Sequence, residues 1–87
     1  MKSLTRPSFW RAYGALDPRV RLAARRAYQL FAENPDHPSL RFKKLQGAEN
    51  AWSVRINDQF RAVGVRNGDT IEWAWIGSHN EFDNLFG

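Results

Sequence analysis

Arg55 and Arg61 are the side chains best placed to do chemistry in this sequence, because the pattern around them sets two guanidinium groups side by side. Trp52, Val54 and Ile56 alternate with Ser53, Arg55 and Asn57, and Phe60, Ala62 and Gly64 alternate with Arg61, Val63 and Val65. That is the period of two of strands with one face on a core. A three-residue turn over Asn57, Asp58 and Gln59 opposes Ile56 with Phe60 and Arg55 with Arg61, whereas a two-residue turn would oppose Ile56 with Arg61 and mix the faces. Like charges in direct opposition repel by several tenths of a kcal/mol. Such a pair suits an anion, since the guanidinium fork matches phosphate oxygens. The competing reading is a surface ion-pair network in which Glu72 and Asp58 neutralise both arginines. His79 carries an imidazole, a group suited to general acid or base work; its alternative role is to start a C-terminal helix over Asn80 to Phe86 or to sit in an interface. His37, in a loop between two prolines, has no assigned role. Glu72, Glu81 and Asp83 are further proton carriers that spacing alone does not place. The chain has no cysteine, hence no thiolate nucleophile and no disulfide.

These residues need elements to hold them. Phe9, Ala12, Tyr13 and Leu16 recur at helical spacing and predict a first helix over Ser8 to Leu16, interrupted by Gly14. Asp17-Pro18 opens a second helix, with Asp17 as cap and Pro18 in the first turn. Its apolar arc is Val20, Ala23, Ala24, Ala27, Tyr28, Leu30 and Phe31; Arg19, Arg21, Arg25, Arg26 and Gln29 fall on the other side. Asn34-Pro35 and His37-Pro38 end it. Leu40, Phe42 and Leu45 predict a less regular strand. Asn67-Gly68 predicts a two-residue hairpin turn, which pairs Gly64 with Ile71, Ala62 with Trp73 and Phe60 with Trp75. The expected fold is α+β, an N-terminal helical hairpin packed on one face of a small antiparallel sheet. Trp52, Val54, Ile56, Phe60, Ala62, Ile71, Trp73 and Trp75 are expected under the helices. Ser53, Arg55, Arg61, Val63, Glu72, Ala74 and Ile76 are expected on the other face, joined by Arg41 and Lys43. Trp10 is left as the exposed tryptophan.

Eighty-seven residues make one domain, 1–87, and 43% hydrophobic with 25% charged residues is the composition of a soluble globular chain. No apolar run approaches the roughly 18 residues of a membrane span, and no apolar segment follows Lys2 as in a signal peptide. A cytoplasmic protein without a membrane partner is the expectation. Residues 1–44 carry ten Lys/Arg against Asp17, Glu33 and Asp36, a net charge of +7, while residues 45–87 carry −3. A polyanion or an acidic protein partner for the first half fits this asymmetry, as does a merely solubilising surface.

Trp52-Ser53-Val54-Arg55-Ile56 followed by Phe60-Arg61-Ala62-Val63 resembles the paired-strand signature of the RelE/ParE superfamily of toxins from type II toxin–antitoxin systems. Phe42 to Gly47 fits the strand and turn before it, and Ile76 to Phe82 the C-terminal strand that ends in a histidine. The resemblance implies a small α+β toxin neutralised by a cognate antitoxin. RelE-like members cleave mRNA in the ribosomal A site without a metal or other cofactor, and ParE-like members poison DNA gyrase. In the RelE-like branch the resemblance gives Arg61 the scissile phosphate, Arg41, Lys43, Lys44 and Arg55 the RNA, and His79 the proton transfer. An inactive relative serving only to bind antitoxin is the third possibility. Two features depart from the family: Phe82 stands where many RelE-like chains have a tyrosine, and Lys2 to Thr5, followed by Pro7, is barely long enough for the family's first strand.

Overall fold

The computed structural model describes residues 1–86. Strand β1 (Lys2–Thr5) leads into helices α1 (Pro7–Gly14) and α2 (Pro18–Glu33), then a 3-10 turn at Pro38–Leu40 and strands β2 (Lys43–Lys44), β3 (Ala51–Arg55), β4 (Phe60–Asn67) and β5 (Thr70–Ser78), and closes with helix α3 (His79–Phe86). The five strands form one sheet in the order β1-β5-β4-β3-β2. The meander β2 to β5 is antiparallel, as expected, and β1 extends it by pairing in parallel with the outer edge of β5. The short segment before Pro7 is therefore a strand after all. Four residues suffice because Lys2 N and Arg6 N also donate to the carbonyls of Asp69 and Trp73 at its two ends.

The helix starts follow from local chemistry. Pro7 and Pro18 each occupy a first turn, where no hydrogen bond is lost, and the Asp17 carboxylate accepts from Arg19 N at 2.8 Å. The helix α2 ends at Glu33, just before Asn34-Pro35. Its buried face, Ala24, Ala27 and Phe31, packs with Leu40, Val54, Ala62, Ile71, Trp73 and Ile76 into one core, and Phe9, Ala12, Tyr13 and Leu16 of the α1 segment border it. Phe31 sits at its centre, edge-on to Phe42 and Trp73 with ring centroids 5.0 and 5.3 Å away. The Arg66 guanidinium lies 4.5 Å over the Trp52 ring and closes one end of this core.

Two expectations of register are corrected. The hairpin between β4 and β5 pairs Asn67 with Thr70, so its two-residue loop is Gly68-Asp69 rather than Asn67-Gly68; the positive φ of 57° falls on Gly68, the residue that tolerates it. A β-bulge then opposes Val63 with Trp75 and Gly64 with Trp73, which leaves Ala74 as an extra residue in β5. Ser8 Oγ donates to the Ala74 carbonyl at 2.7 Å, satisfying the backbone group that the ladder leaves free. Past the bulge the faces exchange. Ile76, expected on the outer face, is buried in the core opposite Ala62. Trp75, expected in the core, stands on the outer face, where its ring packs against Phe82 and Phe86 of α3. Leu45, Ser53 and Val63 are also buried while lying outside the main core cluster, a burial that the alternation did not foretell.

Gly77 is tied to this arrangement. A Cβ at that position would lie 2.4 Å from the Trp75 ring. Gly77→Ala is therefore expected to push the indole aside, destabilise the fold by about 1–3 kcal/mol and loosen α3. Thermal unfolding checks the first effect, and faster hydrogen exchange of residues 79–86 the second.

Candidate functional site

Arg55 and Arg61 are directly opposed across β3 and β4, joined by the expected three-residue turn. Val54 and Ala62, their neighbours in the strands, enter the core beneath the helices. The two arginines therefore stand on the other face, as alternation requires. The turn is shaped by Asn57, whose side-chain oxygen accepts from Gln59 N at 2.9 Å and Phe60 N at 3.0 Å.

Arg55, Arg61 and the backbone of His79 meet at this turn. Arg55 pairs with Asp58 and donates to the Ser39 carbonyl at 3.3 Å. Arg61 Nη1 donates to the Asn57 carbonyl at 2.6 Å and the Phe60 carbonyl at 3.0 Å. His79 N donates to the Gln59 carbonyl at 2.6 Å, which fixes the start of α3 against the same turn. The imidazole Nε2 of His79 lies 3.4 Å from Asp83 Oδ1, one helical turn on. Ser78 and Glu81 complete the helix start reciprocally: Glu81 N donates to Ser78 Oγ, and Ser78 N to the Glu81 carboxylate.

The electrostatics separate the two arginines. The hydrogen bond and charge of Arg55 hold the Asp58 carboxyl below the usual carboxylate range, with Arg41 and Arg61 adding to the effect. The Arg61 guanidinium is itself depressed below the usual arginine value, first by burial and then by the like charges of Arg55 and Arg41, against which Asp58 and Asp83 pull weakly. Glu72, expected to neutralise this face together with Asp58, is engaged by Arg6 instead. Among the described residues Arg61 forms no ion pair. A half-buried cation beside two like charges, held only by carbonyls, is poised to accept an anion.

The remaining candidates divide. Arg41 is close enough to shift both Asp58 and Arg61, and its backbone is left-handed, φ 45° and ψ 45°. That conformation costs a residue with a Cβ about 1–2 kcal/mol. Lys43 pairs with Ser53 and so shares the Arg55 face, whereas Lys44 pairs with Trp52 and falls on the helix side, away from the cluster. Phe82 is occupied in the aromatic packing on Trp75 and has no hydroxyl to offer. His37 binds locally, its Nδ1 2.9 Å from Ser39 Oγ. Asp83 had no assigned place; its spacing of four from His79 on a helix is the signal that joins them.

A helical hairpin on one face of a mixed sheet, with an arginine-lined opposite face and a short C-terminal helix, defines a small α+β fold. Solved structures share it. The RelB–RelE antitoxin–toxin complex from Methanococcus jannaschii contains a chain 18% identical that superposes with a TM-score of 0.75 over 97% of this chain and 99% of that one. The YoeB/ParE toxin from Agrobacterium tumefaciens gives 22% identity and a TM-score of 0.69 over 91% and 99%. YafQ from Escherichia coli gives 12% and 0.75 over 99% and 98%. No curated protein matches the chain. Residues 18–84 match the model of the ParE-like toxin domain, and the chain belongs to that family, the toxin–antitoxin toxins its motifs resemble.

Proposed function

We propose that this toxin is a metal-independent endonuclease that cuts mRNA on the ribosome, and that it is held inactive by a cognate antitoxin. The observation that carries the reading is the unpaired, half-buried Arg61 opposed to Arg55 and flanked by Arg41. Cleavage by a ribose 2′-OH needs three things: a base for that proton, cations for the charge that builds on phosphate, and an acid for the 5′ oxygen. As the 2′ oxygen bonds to phosphorus, the bond from phosphorus to the 5′ oxygen breaks. The products are a 2′,3′-cyclic phosphate and a 5′-hydroxyl. Arg61 and Arg55 serve the phosphate oxygens. Arg41 and Lys43 extend the basic track for the RNA backbone, and His79, oriented by Asp83, moves a proton. Lys44 belongs to the track only where RNA wraps the β2 edge. The antitoxin reading is supported by the family and by the antitoxin–toxin complex among the structural neighbours.

Primer extension on cellular mRNA after induction tests the proposal: new cuts within codons, present only when ribosomes are, are expected. His79→Ala is expected to slow cleavage by about 10²–10⁴-fold without changing the unfolding temperature by more than a few degrees. The ParE-like character of the family favours one rival, a gyrase inhibitor that works by binding. Intact mRNA with accumulating gyrase–DNA breaks would establish that reading and remove the nuclease. Neither signal, from soluble protein free of antitoxin, leaves a module that only binds its antitoxin.

A further inference from the structure

His37 caps the 3-10 turn at Pro38–Leu40 through its ring, Nδ1 accepting from Ser39 N at 3.2 Å. An accepting ring nitrogen carries no proton, so the imidazole is the neutral Nε2–H form, and Ser39 Oγ, 2.9 Å away, donates to the same atom. The chain builds this two-residue loop elsewhere with asparagine: Asn34 accepts from Asp36 N at 3.1 Å and Asn57 from Gln59 N at 2.9 Å. His37 plays the asparagine's part. The turn is also pinned from below. Leu40 is 1% exposed in the core, Leu40 N donates to the His37 carbonyl at 3.0 Å, and Arg41 N donates to the Pro38 carbonyl at 3.3 Å. His37 thus holds the peptide planes on both sides of Ser39, one by its ring and one by its carbonyl.

What the turn presents to the site is the Ser39 carbonyl. Arg55 Nη1 donates to it at 3.3 Å, while Nη2 pairs with Asp58. The two contacts differ in kind. Asp58 is a 91% exposed side chain on a turn, and exposed ion pairs hold weakly. The Ser39 carbonyl is backbone, next to a residue seated in the core, so it gives the guanidinium its fixed point. Ordering an arginine before its anion arrives removes part of the entropic cost of binding. We propose that His37 is a positioning residue: by holding Ser39 N it holds the carbonyl that orients Arg55 for an incoming phosphate. The phosphate rests on the nuclease reading, whereas the aim of Arg55 is a property of the free chain.

Side-chain NMR of the isotope-labelled full chain at mildly alkaline pH tests it, with inorganic phosphate as the probe. Expected for the wild type are a His37 ring protonated on Nε2 alone, an ordered Arg55 Nε–H group and a saturable shift of that signal with phosphate. His37→Ala is expected to loosen Arg55 and to raise the phosphate needed for half the shift by about 2- to 10-fold, the range that one unfrozen side chain costs. His37→Asn is expected to restore both, its side-chain oxygen taking the Ser39 N–H as Asn34 and Asn57 take theirs. Ser39→Ala keeps the backbone and should change neither. Unaltered Arg55 order in His37→Ala, no rescue by His37→Asn, or a wild-type ring protonated on Nδ1 overturns the proposal. So does a His37→Ala protein that melts well below the wild type with Arg61 and His79 loosened as much as Arg55, since that marks a general loss of structure. A wild-type Arg55 signal untouched by phosphate overturns it too. Ribosome-dependent cleavage should rank in the same way, with wild type and His37→Asn above His37→Ala. A wild-type chain that cuts no mRNA removes the nuclease reading, and the NMR results then decide the positioning of Arg55 on their own.

Discussion

Arg61→Ala is expected to abolish growth inhibition and to lower ribosome-dependent cleavage by at least the 10²–10³-fold typical of one lost transition-state donor, while the fold and antitoxin binding survive. The magnitude follows from its surroundings. Among the described residues Arg61 is the arginine of the pair without a carboxylate partner, so its charge is open to a phosphate; Arg55 shares its charge with Asp58. The fold survives because the side chain's hydrogen bonds are two donations to carbonyls of the adjoining turn, and its removal relieves repulsion with Arg55 and Arg41. Arg61→Lys restores a charge without the fork and should recover only part of the rate. Cleavage assays with reconstituted ribosomes, paired with circular dichroism, make the measurement. An Arg61→Ala protein that cuts mRNA at the wild-type rate would falsify the assignment.

The largest effect on stability is expected at Phe31. Phe31→Ala removes a ring that is 2% exposed and packed edge-on against Phe42 and Trp73, and such truncations cost about 3–5 kcal/mol. A domain of this size has about 5–15 kcal/mol in all. Each kcal/mol moves the unfolding temperature by about 4–8 °C, so the variant should be partly unfolded at 37 °C. Tyr28→Ala, one turn earlier on the same helix but half exposed, should cost far less. Thermal melts of the two variants side by side decide the point, and similar losses would place the core elsewhere.

What was legible in the sequence was whatever obeys a period. The opposition of Arg55 and Arg61 followed from strand alternation and a turn of the right length, and the structure reproduces it. The caps at Asp17 and the proline stops were equally readable, because each depends on a residue and its immediate neighbours. The position of Trp75 was not. Alternation counts residues, and it fails silently when one residue bulges out; nothing in Trp73-Ala74-Trp75 distinguishes a regular strand from a bulged one. The stabilising contact at the bulge comes from Ser8, 66 residues away. The strand β1 was hidden for a related reason, since its partner is a parallel edge supplied by the far end of the chain. Within the candidate site, the register places Glu72 opposite Val65, where Arg6 engages it, and Gly77 opposite Arg61, an outcome of the bulge that residue types do not announce.

The extra residue at Ala74 makes β5 behave like a reading frame with a shift in it. Upstream, odd-numbered side chains serve the helices; downstream, even-numbered ones do, and Trp75 is released to anchor the segment that carries His79. Deleting Ala74 would restore one frame throughout: the indole would be driven toward a filled core, Ile76 would turn outward, and α3 would lose its seat. Point substitutions along this strand can be absorbed one at a time, but a change in its length cannot. In descendants of this chain, insertions and deletions should accumulate in the loops and be purged between Ile71 and Ser78.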